Sequence, residues 1–285
     1  MFAFGFHKKA FGLRRSPFLA LFEKLLGTSC FSIFEGSIRI SGEDFRAERF
    51  RLGSAGQTLD HAFDEICWFL DLVSEHENVF LDRNVLEKIV RSMSSMSGVY
   101  ALGAGLEISE KIGDSKTKCY FMVDKKDEIV DLVLGLHPKV KGIEHYLVDD
   151  TFLFAVEMHF DGRNDIEIYP RFKTEYLRNS ILIKKLGFQV QVQRLLKGCR
   201  ALTVSFEKGE ARILHFHPMH PTRFVRSLAN RPLSLVYSNI QALDMALTRF
   251  SGAEPVDVSL AFSEKEVVAE TIKDINLYYR VSAPL

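Results

Sequence analysis

Phe154-Ala-Val-Glu-Met-His-Phe160, Asp161-Gly-Arg-Asn164 and Asp165-Ile-Glu-Ile-Tyr-Pro-Arg171 run consecutively, and they read as two alternating strands closed by a tight turn. Gly and Asn in the turn tolerate positive φ, as a hairpin requires. Successive strand residues point to opposite faces. In the first strand Phe154, Val156, Met158 and Phe160 therefore oppose Ala155, Glu157 and His159, and in the second Ile166 and Ile168 oppose Asp165, Glu167, Tyr169 and Arg171. The same grammar recurs in residues 35–40 with 45–52, 99–108 with 117–124, 201–206 with 213–217, and 256–262 with 273–281. Ser41-Gly42-Glu43-Asp44 and Glu207-Lys208-Gly209-Glu210 supply further turns. Ten strands arriving as five hairpins predict one closed antiparallel barrel.

Helical sequence separates the hairpins. Residues 59–74 carry Ala62, Ile66, Leu70 and Val73 at helical spacing, with Phe63, Cys67 and Trp68 widening the stripe. Helices are also expected over 17–26, 81–93 and 126–136, and over the longer, broken stretches 175–196 and 221–250, the last interrupted at Asn230-Arg231-Pro232. Trp68 and most phenylalanines are assigned to the core. Helices need an apolar sheet face to pack on. The apolar set of each strand is thus expected to face outward under the helices, which leaves the polar, aromatic and basic set inside. An open sheet with a plain wet face is the other arrangement that this parity permits.

Length and composition fit one α+β domain over 1–285, with 1–28 as an N-terminal capping region. The 285 residues are 47% hydrophobic, and no Pro/Gly/Ser-rich linker divides them. Thirty-seven basic residues balance thirty-seven acidic ones, so no global charge favours nucleic acid or an anionic membrane. Cys30, Cys67, Cys119 and Cys199 are scattered without C-x-x-C spacing, as in a reduced cytoplasmic protein. Residues 1–26 hold Lys8, Lys9, Arg14 and Arg15 but no apolar run long enough for a signal peptide or membrane span. A soluble cytoplasmic monomer is expected.

The usual catalytic signatures are missing: there is no G-x-G-x-x-G after a strand, no Walker loop, no G-x-S-x-G and no H-E-x-x-H. The aspartate-rich D-D-x-x-D of isoprenoid synthases is absent too, Asp149-Asp150 being a lone pair. His215-x-His217 with His220 is a weak metal pattern, and the two strand histidines read as a polar wall; no protein metal site is expected.

Gly103-Ala-Gly-Leu-Glu-Ile108, Phe160-Asp-Gly-Arg-Asn-Asp-Ile-Glu-Ile-Tyr169 and Asp274-Ile-Asn-Leu-Tyr-Tyr279 resemble, in order and spacing, strands of the cyanobactin peptide prenyltransferases, and Ser32-Ile-Phe-Glu35 resembles that family's first strand. The likeness runs over roughly residues 15–281 with dispersed identity. It implies the ABBA fold, a ten-strand antiparallel barrel ringed by helices. It also implies transfer of a dimethylallyl or geranyl group from its diphosphate, with Mg2+ assisting, to a side chain or terminus of a macrocyclic or linear peptide.

Ionising an allylic diphosphate leaves a carbocation and a polyanionic leaving group. Basic side chains can hold the anion, aromatic faces can shield the cation, and a carboxylate can take the acceptor's proton. The resemblance puts Glu35 at the catalytic position and Arg49, Lys118 and His217 on the diphosphate; Arg171 and Arg280 share the lumen parity. Tyr120, Tyr169, Tyr278 and Thr203 are expected in the prenyl and aromatic wall, and Glu157, His159 and His215 on the acceptor side. Tyr120 and Met122 stand where the resembling family carries basic residues, Asn276 where it often has Arg, and His215 where it has Tyr. Gly103 and Gly105 predict a thin wall with room for a ligand, and the small Thr203 and Ser205 favour a ten-carbon donor. An aromatic small-molecule prenyltransferase and a non-catalytic binding barrel remain the rival readings.

Overall fold

The computed structural model describes residues 7–282 apart from 9–10, 14–15, 29, 42–43, 56–58, 94–97, 137–141, 207–211, 230–240, 242–243 and 246–256. Its strands are β1 (Ile33–Ser41), β2 (Asp44–Ala55), β3 (Val99–Glu107), β4 (Lys116–Asp124), β5 (Thr151–His159), β6 (Asn164–Tyr169), β7 (Arg171–Lys173), β8 (Cys199–Phe206), β9 (Arg212–Pro218), β10 (Asp257–Ser263) and β11 (Asp274–Ser282). All belong to one antiparallel sheet in the order β6-β5-β4-β3-β2-β1-β11-β10-β9-β8-β7. The two ends of that order are neighbours in the chain, separated only by Pro170. Proline has no N–H for the ladder, so the expected strand over 165–171 divides into β6, paired to β5, and β7, paired to β8. The Val204 N–H donates to the Pro170 carbonyl at 2.9 Å across this seam. Ten expected strands thereby become eleven, and the sheet closes on itself.

Strand parity is inverted relative to a small barrel with an apolar interior. The outward set includes Phe34, Leu52, Cys119, Phe121, Phe154, Val156, Ile168, Phe172, Val204, Phe216 and Leu277, all buried. They lie beneath the helices α1 (Pro17–Leu26), α2 (Leu59–Ser74), α3 (Asn84–Ser92), α4 (Asp127–Leu136), α5 (Thr174–Leu177), α6 (Ser180–Lys185), α7 (Val190–Leu196), α8 (Pro221–Ala229) and α9 (Glu264–Ala269). In α2 the buried face is Ala62, Ile66, Phe69, Leu70 and Val73. Trp68 sits about 200° around the helix from Ile66, and it is 40% exposed rather than core. The helical stretch expected over 175–196 is three short helices, with the Asn179 side chain accepting from the Ile181 and Leu182 N–H groups to start the second. Beyond Ala229 the last expected helix, with its break at 230–232, lies largely outside the described residues, as do the turns at 42–43 and 207–211. All four cysteines are free.

One close approach fastens the N-terminal segment to the outer sheet face. His7 is buried, with its Nε2–H donating to the Ala47 carbonyl at 2.7 Å, which leaves Nδ1 to accept from the Tyr279 hydroxyl at 2.5 Å. Burial lowers its pKa to about 4, so the neutral tautomer that makes both bonds persists. The ring fits only because Gly36 has no side chain: a Cβ there would lie 2.6 Å from His7 Nδ1 and 2.7 Å from Tyr279 Cε1. Gly36→Ala is expected to cost about 1–3 kcal/mol by overpacking, read as a lower urea midpoint at unchanged m-value. A midpoint equal to wild type would show that His7 does not fasten the sheet.

Candidate active site

The inward set of side chains lines an elongated cavity of about 740 Å3, within the ~300–1,000 Å3 typical of small-molecule sites. Cross-strand register brings its charges together. Arg49 is opposite Glu107, Glu107 opposite Lys116, and Lys118 opposite Glu157. Glu35 is opposite Arg51 on one side and Arg280 on the other.

The cluster that Arg49, Glu107, Lys116, Lys118, Glu157 and Glu167 build across β2 through β6 is charge-balanced. Arg49 meets Glu107 at 3.1 Å, Lys116 meets Glu157 at 2.8 Å, and Lys118 bridges Glu157 and Glu167, the latter at 3.0 Å. The Tyr169 hydroxyl donates to Glu167 at 2.6 Å. Burial would raise the Glu107 carboxyl, yet Arg49, Lys116 and Lys118 hold it down at about 2. Glu167 is likewise pulled down to about 2 against burial, chiefly by Lys118. These carboxylates stay ionised, and the cations beside them are already neutralised.

The rest of the lining, from β7 through β11 to Glu35 on β1 and Arg51 on β2, is not balanced. Arg280 donates to Glu35 at 3.0 Å, and its buried Nε has no hydrogen-bond partner among the described residues. Arg51 lies over the Tyr120 ring, 4.3 Å from its centroid. Arg171 lines the same cavity. Among the described residues no carboxylate comes within ion-pairing distance of Arg51 or Arg171. Burial, then the positive neighbours Arg280, Arg200 and Arg51, lower the Arg171 pKa, with Asp257 opposing them. Arg51, Arg171 and Arg280 thus share Glu35, the nearby Asp257 being engaged by Arg200 and His217, and a positive pole results. Burial would raise the Glu35 pKa, but Arg51, Arg280 and His217 bring it below the ordinary carboxylate value. His217 is held between Asp257 (Nδ1 to Oδ2, 3.3 Å) and Thr203 (Nε2 to Oγ1, 3.1 Å).

Glu35, Arg49, Lys118, Arg171, His217, Arg280, Tyr120, Tyr169, Tyr278, Thr203 and His215 all line the cavity. Tyr120 and Tyr169 stand 6.1 Å apart, and His215 lies 5.3 Å from Tyr278, so the aromatic residues are contiguous with the basic ones. Burial pushes Tyr120 up to about 12 and keeps the phenols neutral. Glu157 and His159 do not reach the main cavity wall. Glu157 holds Lys116 and Lys118, and His159 lies 3.4 Å from Asp165. The room expected at Gly103 and Gly105 is filled by protein. A Cβ on Gly105 would sit 2.9 Å from Tyr120 Cε2, and one on Gly103 2.5 Å from the Leu52 carbonyl oxygen of the neighbouring strand. Gly105 leaves room for the Tyr120 ring and Gly103 for the backbone of the neighbouring strand, and Arg51 restores positive charge next to Tyr120. Thr203 and Ser205 line the cavity and hydrogen-bond to the imidazoles of His217 and His215. Arg51 and Asp257 were not singled out from the sequence, although Arg51 shares Arg49's parity two residues away.

The magnesium implied by resemblance finds no cage of oxygen ligands here. Among the described residues, the group with metal-ligand spacing is Glu157, His159 and Asp165. Its imidazole, and the two lysines on Glu157, suit a hard, oxygen-seeking cation poorly.

Solved structures share this architecture. 6-Dimethylallyltryptophan synthase from Micromonospora olivasterospora, in complex with DMASPP and Trp, aligns at 14% identity with a TM-score of 0.55, over 88% of this chain and 81% of that one. AnaPT from Neosartorya fischeri aligns at 12% identity with a TM-score of 0.52, over 86% and 77%. NotF prenyltransferase aligns at 11% identity with a TM-score of 0.50, over 88% and 81%. The barrel ringed by helices is therefore the fold of these prenyltransferases. The chain itself belongs to DUF5838, a family of unknown function whose model matches residues 4–281. No curated protein matches it.

The two walls respond differently to loss of charge. Lys118→Met leaves Glu157 and Glu167 buried beside one fewer cation and is expected to cost about 3–5 kcal/mol. Arg171→Met relieves repulsion and is expected to leave stability unchanged or raised. Urea unfolding of both variants checks this, and equal losses would contradict the charge map. Acid acts through the same groups. Glu107 and Glu167 have folded pKa values below the ordinary ~4.3, so the unfolded chain binds protons first. Their stabilisation is complete above that value and disappears as pH falls toward about 2. His215, pushed down to about 3 by burial and by His217, adds a loss in the same direction below the ordinary imidazole range. Unfolding free energy measured from pH 7 to pH 3 should fall monotonically, and a flat profile would contradict these assignments.

Proposed function

We propose that this protein is a prenyltransferase that moves a dimethylallyl or geranyl group from its diphosphate to a peptide acceptor. The observation that carries this reading is the positive pole of Arg51, Arg171 and Arg280, whose ion pairing is limited to Arg280 with Glu35 among the described residues and which opens onto a lumen walled by Tyr120, Tyr169 and Tyr278. A diphosphate supplies the missing negative charge. Arg49 and Lys118 border it, already paired with Glu107, Glu157 and Glu167, and so act chiefly to keep those carboxylates away from the anion.

As the C1–O bond of the donor ionises, the guanidiniums stabilise the departing oxygens, and the tyrosine faces shield the allylic cation from water. The acceptor's lone pair attacks C1, and its proton passes to Glu35. Arg51 and Arg280 keep that carboxylate ionised and ready to accept it. A divalent cation would reach this site on the donor's own phosphate oxygens, since the lumen carboxylates are engaged by lysine and arginine.

The peptide acceptor rests on the resemblance of residues 103–108, 160–169 and 274–279 to cyanobactin peptide prenyltransferases. Glu167 and Tyr169, from the 160–169 stretch, line the cavity. A small aromatic acceptor is the second reading, favoured by the structural neighbour solved with DMASPP and Trp. Incubation with each donor and a panel of cyclic and linear peptides, phenols and indoles, followed by mass spectrometry, decides between them. Gain of one or two C5H8 units on a peptide is the expected result. Gain only on phenols or indoles would select the second reading, and no product with any acceptor would overturn both. Glu35→Gln should fold normally and lose about 10²–10⁴-fold in turnover; near-wild-type turnover would remove Glu35 from the chemistry.

A further inference from the structure

Glu157 and His159 take no part in the transfer scheme above, yet they meet Asp165 at one end of the β5–β6 hairpin. The ladder builds this meeting. Glu157 and His159 are two apart on β5 and share one face, and Asp165 on β6 is the register partner of Glu157. His159 Nε2 lies 3.4 Å from Asp165 Oδ2 and 3.9 Å from Glu157 Oε2. One ligand atom from each of the three residues falls within 4.8 Å of the others. Donors ~2.1 Å from a tetrahedral ion stand ~3.4 Å apart, so side-chain adjustment of about an ångström completes the set.

The imidazole supplies a second, independent observation. The His159 side chain is 11% exposed, and both ring nitrogens are buried without a hydrogen-bond partner among the described residues. Buried polar atoms are nearly always partnered. A simple ion pair would bring Nε2 into a hydrogen bond with Asp165, and at 3.4 Å it makes none. The cations nearby do not close the site. Lys116 Nζ is 2.8 Å from Glu157 Oε2 and 3.7 Å from Glu107, while Lys118 holds Glu157 Oε1 and, at 3.0 Å, Glu167. Each lysine therefore keeps another carboxylate when Glu157 turns to an ion. A carboxylate oxygen has a second lone pair to give, and a hydrogen bond from behind orients a ligating carboxylate. Arg163 is engaged by Asp161 at 2.7 Å. Asp165 is 26% exposed, which gives an ion a way in from solvent.

We propose that Glu157, His159 and Asp165 form a binding site for a first-row transition-metal dication, Zn2+ foremost, that ties β5 to β6. One imidazole with two carboxylates suits such an ion, whereas Mg2+ and Ca2+ seek oxygen ligands alone. The ion's two charges balance the Glu157 and Asp165 carboxylates and leave Lys116 and Lys118 to Glu107 and Glu167. None of the three ligands lines the main cavity, so the site is independent of the prenyl-transfer reading.

Calorimetric titration of the metal-free full chain with ZnCl2, in a weakly coordinating buffer at neutral pH, tests the site. Wild type is expected to bind one Zn2+ per chain saturably, and its Tm to rise with added Zn2+. A parallel Co2+ titration should give the visible absorption of a nitrogen- and oxygen-ligated ion. His159→Gln and Asp165→Asn should each weaken Zn2+ by more than the ~10–100-fold typical of losing a group behind a ligand. His61→Ala is the control, because His61 and Glu65 form an exposed pair on α2 at 3.9 Å that could hold zinc loosely; it should leave affinity unchanged. Melting in EDTA shows whether each variant folds, and Asp165→Asn decides if His159→Gln does not. Absence of Zn2+ binding in wild type, or equal affinity in wild type and the folded ligand variants, would overturn the site. Loss of binding in His61→Ala alone would mean an adventitious ion only and would overturn it equally.

Discussion

The constraint on which everything else depends is the direction in which the strands point their apolar residues. Helices between the hairpins need a hydrophobic surface, and the sheet offers Phe34, Phe121, Phe154, Phe172, Phe216 and their neighbours on its outer face. Each strand has only two faces, so satisfying the helices sends Glu35, Arg51, Lys118, Tyr169, Arg171, His217 and Arg280 inward. An interior of charged side chains in van der Waals contact would be prohibitively costly. A wide barrel that keeps a polar cavity resolves that conflict, and the cavity is where chemistry can occur.

Charge placement inside the cavity divides it into two walls with different purposes. Along β2 to β6, Arg49, Lys116 and Lys118 are met by Glu107, Glu157 and Glu167, a network that holds the strands in register and adds little field. Along β7 to β11, closing onto β1 and β2, the guanidiniums exceed the carboxylates. Such a surplus destabilises an empty protein by self-repulsion and is offset when an anion arrives. The stability cost at Arg171 is thus the structural counterpart of donor affinity.

Much of this was legible in the sequence. Period-two alternation in Phe154–Phe160 and its four companion hairpins carried the barrel, and the need to cover an apolar face carried the inverted parity. Parity also brought the basic, aromatic and acidic candidates into one lumen, apart from Glu157 and His159, which are not among the residues lining the cavity. The seam at Pro170 was visible as a residue but not as a boundary, because only the pairing of Val204 to its carbonyl shows that the chain changes partners there. The room expected at Gly105 is taken by the Tyr120 ring and that at Gly103 by the Leu52 carbonyl, neither of which shows before the strands are paired. Trp68 was read into the core by its size, and the angle of its position on the helix puts it outside. Long-range pairs such as Arg280 with Glu35, 245 residues apart in the chain, cannot be weighed before the register is known.

The central claim is that the Arg51, Arg171 and Arg280 pole is a diphosphate site. Titration of wild type and Arg171→Met with a non-ionisable thio-analogue of dimethylallyl diphosphate tests it most directly. The account predicts saturable binding to wild type, weakened by ~10-fold or more in Arg171→Met through loss of a charge-assisted contact, with no loss of folding stability. Equal affinity in the two proteins, or no binding to wild type, would contradict it.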